Sequence, residues 1–313
     1  MNQLQKSIQD YLAVRRELGF KLRDAGIDLS KFAYFMNARG ATHITTNLAM
    51  EWVQQSTSVL PSTCAERLGN IRNFARYYLT IDPQTEIPAP GLLPFRKQRA
   101  RPYLYSDEEI TQLLRCAREL PSRDGSGLRS WIYYCLIGLL SVTGLRIGEA
   151  IRLQLQDVNL QDGLLTIRGT KFGKSRLVPL HRSTQVVLAE YLAFRSRFVA
   201  KRNASTFFFI TNRGNHLDIG DIHRTFYKLS QQVGLRAVDA SHGPRLHDFR
   251  HRFAVQTLLR WYQSGEDAER RMPVLSTFLG HVHVADTYWY LSACPELMAQ
   301  AVVRLERRWE QRP

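Results

Sequence analysis

The chain has 313 residues, 44% of them hydrophobic, and carries 43 Lys or Arg against 28 Asp or Glu, a formal charge of +15. That length suits about two domains, and a basic excess spread along the chain rather than held in a tail predicts a polyanion partner, with counterion release from nucleic acid driving binding. The longest apolar stretch, WIYYCLIGLLSVTGL, is 15 residues against the roughly 20 needed to cross a bilayer and reads as a buried helix, and Cys64, Cys116, Cys135 and Cys294, with no Cys-x-x-Cys spacing, fit reduced thiols better than a disulfide or zinc-knuckle framework.

In chain order, Leu4, Ile8, Tyr11, Leu12 and Leu18 repeat at helical spacing and predict an amphipathic helix over 4–18. A second, short helix is expected at TTNLAMEWVQQ. A third is expected through STCAERLGNIRNFARYYLT, where Cys64, Leu68, Ile71, Ala75 and Tyr78 share one face. Its opposite face carries Arg72, Asn73 and Arg76, which suit either a solvated surface or contact with phosphates. Five of the 12 prolines then fall in DPQTEIPAPGLLPFRKQRARP. Proline excludes helix there and disfavours it one residue earlier, so 88–105 reads as a linker, ending in Arg96, Lys97, Arg99 and Arg101. Extended at roughly 3.1 Å per residue, its stretch 88–102 reaches about 45 Å, enough to cross a duplex about 20 Å wide. The expected organisation is a small helical domain over 1–87, this linker, and a second domain over 106–313, an arrangement that suggests a clamp closing around DNA.

The second domain opens at SDEEITQLL, where Ser106 and Glu109 form a capping-box pattern. The buried helix WIYYCLIGLLSVTG follows, with Gly144 placed to end it. LLTIRG and SRLVPL flank TKFGK as a β-hairpin, and TFFFIT is a further candidate strand. Helices are expected near 184–199, 218–233, 246–263 and 296–309. The predicted fold class is mainly α with a small antiparallel β-sheet, in two domains.

Four segments could carry chemistry: TGLRIGEA, TKFGKSR, RLHDFRHRFA and LGHVHVADTYWYL. Each alone has an ordinary explanation. An Arg after a glycine turn is usually a surface residue, a hairpin Lys is usually solvated, and His247 and Arg250, three apart, share a helix face as a local contact would. Taken together and in this order they resemble the tyrosine recombinase (phage integrase) family, of the Xer-like or transposon-borne kind. The family pattern is Arg in a T-G-x-R-x-x-E context, Lys in a hairpin, H-x-x-R on a helix, G-H, then Tyr. It falls here on Arg146 with Glu149, Lys171, His247 with Arg250, Gly280 with His281, and Tyr290. The resemblance covers about 106–300 as the catalytic domain; the helical domain over 1–87 also looks like the family's DNA core-binding domain, on a much weaker signal.

The resemblance selects Tyr290, nine residues after His281 with Thr287 three before it, over Tyr288. Helical geometry agrees that one tyrosine alone serves, because residues two apart on a helix point about 200° from each other. The implied reaction is attack of the tyrosyl oxygen on a DNA phosphodiester, giving a 3′-phosphotyrosine and a free 5′-hydroxyl, with no cofactor and no metal. Arg146 and Arg250 are permanently charged planar donors suited to the phosphate. His247 and His281 add hydrogen bonds, and preorganised donors of this kind are often the largest catalytic contribution. A phenol with an ordinary pKa near 10 needs a proton acceptor, a role the resemblance gives to His247. It gives protonation of the leaving oxygen to Lys171, the first lysine of TKFGK. Lys174 is the competitor for that role, or a phosphate contact. Thr170 and Phe172 stand where the family usually has glycine, so the hairpin is expected to be stiffer. Glu149 suits support of a helix or arginine, or an exposed carboxylate. His251 and His283 are expected to be structural or DNA-contacting.

His247 and His251 are also spaced like the ligands of H-E-x-x-H zinc proteases, but Asp248 replaces the glutamate, Arg250 lies within the motif and no third ligand is evident. The carboxylates make no recognisable two-metal cluster. The expected partner is double-stranded DNA, bound by a homotetramer on two recombination sites, with accessory proteins compatible and no membrane. The polar start MNQLQKSIQD has no signal-peptide pattern, which sets the expected location as cytoplasmic and nucleoid-associated. Two alternatives remain: a type IB topoisomerase-like enzyme with the same chemistry, and a non-catalytic DNA-binding protein. Leu297, Ala301, Leu305 and Trp309 form a stripe on the last predicted helix, suited to docking on its own domain or on a neighbour.

Overall fold

In the computed structural model, residues 3–55, 59–93, 102–122, 124–169, 175–200, 205–292 and 295–310 are described. The chain divides into two compact units, Met1–Ala100 and Arg101–Pro313. The fold is mainly helical, with one three-stranded antiparallel sheet, as expected.

The first unit is built from α1 (Gln3–Glu17), α2 (Arg23–Ala38), α3 (Thr46–Gln54) and α4 (Pro61–Tyr78). The stripe read in α1 is buried at Leu4, Ile8, Tyr11 and Leu12. It stops there: Leu18 lies beyond the helix and is 65% exposed. Thr45 caps α3 by accepting the Leu48 N–H at 3.2 Å, and Pro61 starts α4, where its missing N–H costs no helical bond. On α4, Leu68, Ile71, Ala75 and Tyr78 are buried, and the half-buried Cys64 thiol donates to the Val53 carbonyl at 3.2 Å.

Helix α2 was not expected from the periodicity. Its first two turns hold Gly26, Asp28 and Ser30, all weak helix formers. It is stabilised by burial of Leu29, Phe32, Ala33 and Met36 in the core shared with α1, α3 and α4. Gly26 permits the approach to α1: a Cβ there would stand 3.4 Å from Leu12 Cδ1 and 3.2 Å from Arg16 Nη2.

The second unit contains α5 (Asp107–Arg118), α6 (Leu128–Thr143), α7 (Ile147–Ala150), β1 (Val158–Asn159), β2 (Leu164–Ile167), β3 (Arg176–Pro179), α8 (Arg182–Val199), α9 (Ile219–Gln232), α10 (Asp248–Gln263), α11 (Ala268–Leu279), α12 (Ala285–Tyr288) and α13 (Pro295–Glu310). Ser106 and Glu109 close the capping box on α5, a device worth about 1 kcal/mol. Gly144 ends α6 at φ 61°, where a Cβ would sit 2.8 Å from the Phe253 ring. Both the left-handed backbone and the close ring demand glycine. Strands β2 and β3 pair from Leu164 opposite Pro179 to Ile167 opposite Arg176, and β1 adds an edge strand that was not expected.

Three further differences have local causes. TFFFIT does not form a strand. Phe207 and Ile210 make isolated bridges to Gln154 and His216, and Phe208, Phe209 and Ile210 fill the core with no exposure. Their apolar run signals burial, which a fully buried irregular segment shares with a strand. Helix α11 carries Pro273 in its interior, a residue that ordinarily argues against helix. Burial of Met272, Leu275, Ser276 and Leu279 and an Asp267 cap on the Glu269 and Arg270 amides offset it. On α13, Leu297 is buried in a cluster with Ala254, Val255 and Leu258 of α10, whereas Trp309 is 67% exposed; the side chains of Ala301 and Leu305 lie outside the described residues. Cys64, Cys116 and Cys135 are free thiols, and Cys294 lies outside the described residues. Among the described residues, no helix is long and apolar enough to cross a membrane.

Candidate active site

The second unit gathers its charged side chains around the C-terminal end of α11. The last carbonyls of a helix lack intrahelical partners and form its negative end. Three successive carbonyls here each receive a different arginine. Arg176 Nε donates to Phe278 O at 2.8 Å, Arg250 Nη2 to Leu279 O at 2.7 Å, and Arg146 to Gly280 O at 3.4–3.5 Å. The arginines come from the start of β3, from α10 and from the residue before α7. Gly280 adopts φ 70°, and a Cβ on it would lie 2.6 Å from Arg176 Nη1. The glycine of the Gly-His pair is therefore required both by its backbone and by the guanidinium beside it.

Glu149 holds two of the three arginines. Its Oε1 accepts from Arg146 Nη1 at 2.9 Å and its Oε2 from Arg176 Nη2 at 2.8 Å, and Oε2 also takes the Arg146 amide at 3.1 Å. Glu149 is 6% exposed. Burial alone would raise its carboxyl; the hydrogen bonds and charge of Arg176, then those of Arg146, overcome this and hold it at about 2. Because the folded-state value lies below the ordinary one, the unfolded chain takes up the proton first as pH falls. The stabilisation is complete above about pH 4.5 and is lost as pH falls towards 2. Glu149→Gln is expected to lower unfolding stability by about 3–5 kcal/mol in urea at neutral pH and to flatten the acid limb of stability between these limits. An unchanged acid limb would contradict this account of the carboxylate.

Arg250 is 1% exposed and spans two elements, with Nη1 on Gly144 O at 2.9 Å and Nη2 on Leu279 O. Burial, then the positive charge of Arg146, lower its pKa to about 10, so it stays charged at neutral pH.

The phenol of Tyr290 lies within electrostatic reach of Arg250. Tyr290 is 3% exposed and Tyr288 is 46% exposed, so the two tyrosines face opposite ways. Tyr290 belongs to a 3₁₀ turn, Trp289–Ser292, which continues α12. Its ring lies 6.1 Å from that of His281 at 17°, and 5.6 Å from that of His251. His251 in turn meets His247 edge to face at 4.8 Å. His281 Nδ1 is 2.7 Å from Thr287 Oγ1. His247, part-exposed at the start of α10 but with its ring packed edge to face on His251, and the half-buried His281 both have pKa values lowered to about 4. Lost hydration comes first, followed by the charges of Arg250 and Arg146. Both are neutral at pH 7, able either to accept a proton or to donate one N–H.

The structure thus brings together Arg146, Glu149, His247, Arg250, His281 and Tyr290. Lys171 and Lys174 lie outside the described residues; β2 and β3 are the strands on either side. Arg72, Asn73 and Arg76 lie on α4 of the first unit. There Arg72 donates to Pro88 O at 2.7 Å and Ala89 O at 2.9 Å, and Arg76 Nη1 to Asn73 Oδ1 at 3.1 Å. Arg72 therefore ties the beginning of the linker to its own unit. Sequence reasoning passed over Arg176. The available signal was strand alternation: Arg176 shares the inward face of β3 with buried Val178, whereas Leu177 between them is 58% exposed. Among the described residues, no group of three or more His, Cys, Asp or Glu is placed to hold a metal ion.

Residues 105–296 match the phage integrase family. A putative integrase/recombinase of Sinorhizobium fredii, y4rB, is 57% identical over the full length of both chains. The tyrosine recombinase XerC of Vibrio cholerae is 27% identical, over 90% of this chain and 85% of its own. Among solved structures, the Tn1549 transposon integrase in complex with transposon right end DNA superposes with a TM-score of 0.67 at 14% identity, covering 97% of this chain and 98% of its own. XerH bound to its difH substrate gives 0.64 at 20% identity, covering 90% and 78%. With the arginine cluster, paired histidines and buried tyrosine on the catalytic unit, the match over most of its length is decisive: the chain belongs to the phage integrase family of tyrosine-type site-specific recombinases.

Proposed function

We propose that the protein cuts and rejoins double-stranded DNA at specific sites through a 3′-phosphotyrosyl intermediate on Tyr290, in the integration, excision or resolution of a mobile element. The observation that carries this reading is the placement of one buried phenol within electrostatic reach of the fully buried Arg250 and stacked against His281. Tyr290 Oη attacks the scissile phosphorus, the P–O5′ bond breaks, and the phosphate passes to the protein. The bond energy is kept in the phosphotyrosine, so a 5′-hydroxyl from another strand reverses the step without ATP. The phenol proton goes to His247, which is neutral at pH 7; the leaving 5′-oxygen takes its proton from Lys171. Arg146, Arg250 and a neutral His281 hold the nonbridging oxygens as negative charge grows on them. Glu149 keeps Arg146 in place. Arg76, Asn73 and Lys174 suit the phosphates flanking the site, and Arg72 suits setting the course of the linker.

Two binding sites, each taking a pair of protomers, make a tetramer the working assembly. Integration or recombination as the outcome is supported by the likeness to the y4rB integrase/recombinase. The test is a nicked duplex library in EDTA: the covalently attached DNA is recovered and sequenced, which reports both the reaction and the site. Adducts at one enriched sequence are expected. Relaxation of supercoils by monomers with no sequence enrichment would replace this reading with a topoisomerase one.

The net charge of +15 carries its own prediction. Affinity for the recovered site should fall linearly in log–log form as salt rises. For a footprint of about 6–10 phosphate contacts the loss is about 10³–10⁵-fold between about 50 and 200 mM. A salt-independent affinity, measured by fluorescence anisotropy, would be incompatible with phosphate-dominated binding.

A further inference from the structure

We propose that Thr287 is a positioning residue that holds His281 in the tautomer whose Nε2 carries the proton, and so aims an N–H at the reacting phosphate; this rests on the proposed reaction. Thr287 is fully buried, and its hydroxyl lies 2.7 Å from His281 Nδ1. A neutral imidazole has a single N–H, and the hydrogen bond at one nitrogen decides which nitrogen bears it. Two arrangements satisfy the contact. If Nδ1–H donates to Thr287, Nε2 is left as a bare acceptor, useless to a phosphate oxygen that offers only lone pairs. If the Thr287 hydroxyl donates to Nδ1, Nε2–H is free to donate. Only the second makes a neutral His281 useful, and its burial, followed by the charges of Arg250, Arg146 and Arg176 against Asp286, favours the neutral ring.

A helical threonine usually turns its hydroxyl back to a carbonyl of the preceding turn; here it reaches the ring of a residue six positions earlier. Thr287 is three residues before Tyr290, at the adjoining turn of the same short helical segment. The one hydrogen bond therefore ties the segment bearing the phenol to the imidazole stacked on it.

The test compares the full chain with Thr287→Val, which keeps the shape and loses the hydroxyl, and Thr287→Ser, which keeps the hydroxyl. Ring ¹⁵N spectra of histidine-labelled protein without DNA, assigned with His281→Asn, should show unprotonated Nδ1 and protonated Nε2 in the wild type and Ser protein. The Val protein should lose that pattern. On a nicked duplex, Val should form covalent adduct about 10–100-fold more slowly, with Ser within about threefold of wild type and DNA affinity unchanged in both. A protonated Nδ1 in the wild type, or a Val protein reacting at the wild-type rate, would overturn the proposal. If Val fails to fold, the wild-type and Ser spectra still decide it. If the wild type forms no adduct, the proposed reaction fails, while the DNA-free spectra still report the tautomer.

Discussion

Tyr290→Phe is expected to form no covalent adduct with a nicked duplex, under conditions in which the wild-type chain accumulates one in EDTA. The substitution removes a single oxygen. The ring keeps its packing against His281, His251 and Trp289, so the fold should persist with a stability change of about 1 kcal/mol, and binding of intact DNA should be retained. Tyr288→Phe is the internal comparison. Its ring is 46% exposed, and it should react at the wild-type rate. Adduct formed by the Tyr290→Phe protein, with the radiolabel mapped to another tyrosine, would move the nucleophile elsewhere.

The second large effect is expected at Arg250. Arg250→Lys should lower the rate of adduct formation at least about 10³-fold and cost about 2–5 kcal/mol of stability. One guanidinium bonds both Gly144 O at the end of α6 and Leu279 O at the end of α11, and a single ammonium lacks the fork to hold both carbonyls and still face a phosphate. A carbonyl left unpaired in a site this buried is costly. Thermal melts and DNA-binding isotherms on the same protein separate loss of fold from loss of chemistry. Arg250→Lys protein that folds, binds and cleaves within tenfold of wild type would show that this guanidinium is only a structural brace.

The two substitutions differ in what they disturb. The phenol sits at the end of a short helical segment and can lose its hydroxyl without unpinning anything else. Arg250 belongs to the scaffold and to the candidate chemistry at once. It closes two helix ends while lying in reach of the phenol. Arg146 is divided similarly, between Glu149 and the Gly280 carbonyl. Glu149 makes that sharing tolerable, since one buried carboxylate neutralises part of three guanidinium charges that would otherwise repel one another.

By itself the sequence determined the elements whose local signals agree. α1 and α4 have clean apolar spacing, α5 has its capping box, α6 has Gly144 at its end, and β2 and β3 alternate around a hairpin. It also determined the order of Arg146, Glu149, His247, Arg250, His281 and Tyr290, because each sits in a short motif whose neighbours are visible in the chain. Only the tertiary structure decided the elements whose local signals conflict with their burial. α2 carries Gly26, Asp28 and Ser30 in its first two turns, α11 contains Pro273, and the apolar run Phe207–Ile210 forms isolated bridges at its two ends rather than a strand. It alone decided the focus of the site as well. No spacing in the chain announces that guanidiniums from residues 146, 176 and 250 converge on carbonyls 278 to 280, because a backbone carbonyl has no letter in the sequence. The same reason hid Arg176. Its partners are a carboxylate 27 residues away and a carbonyl 102 residues away, and contacts at such separations come from packing rather than from local propensity.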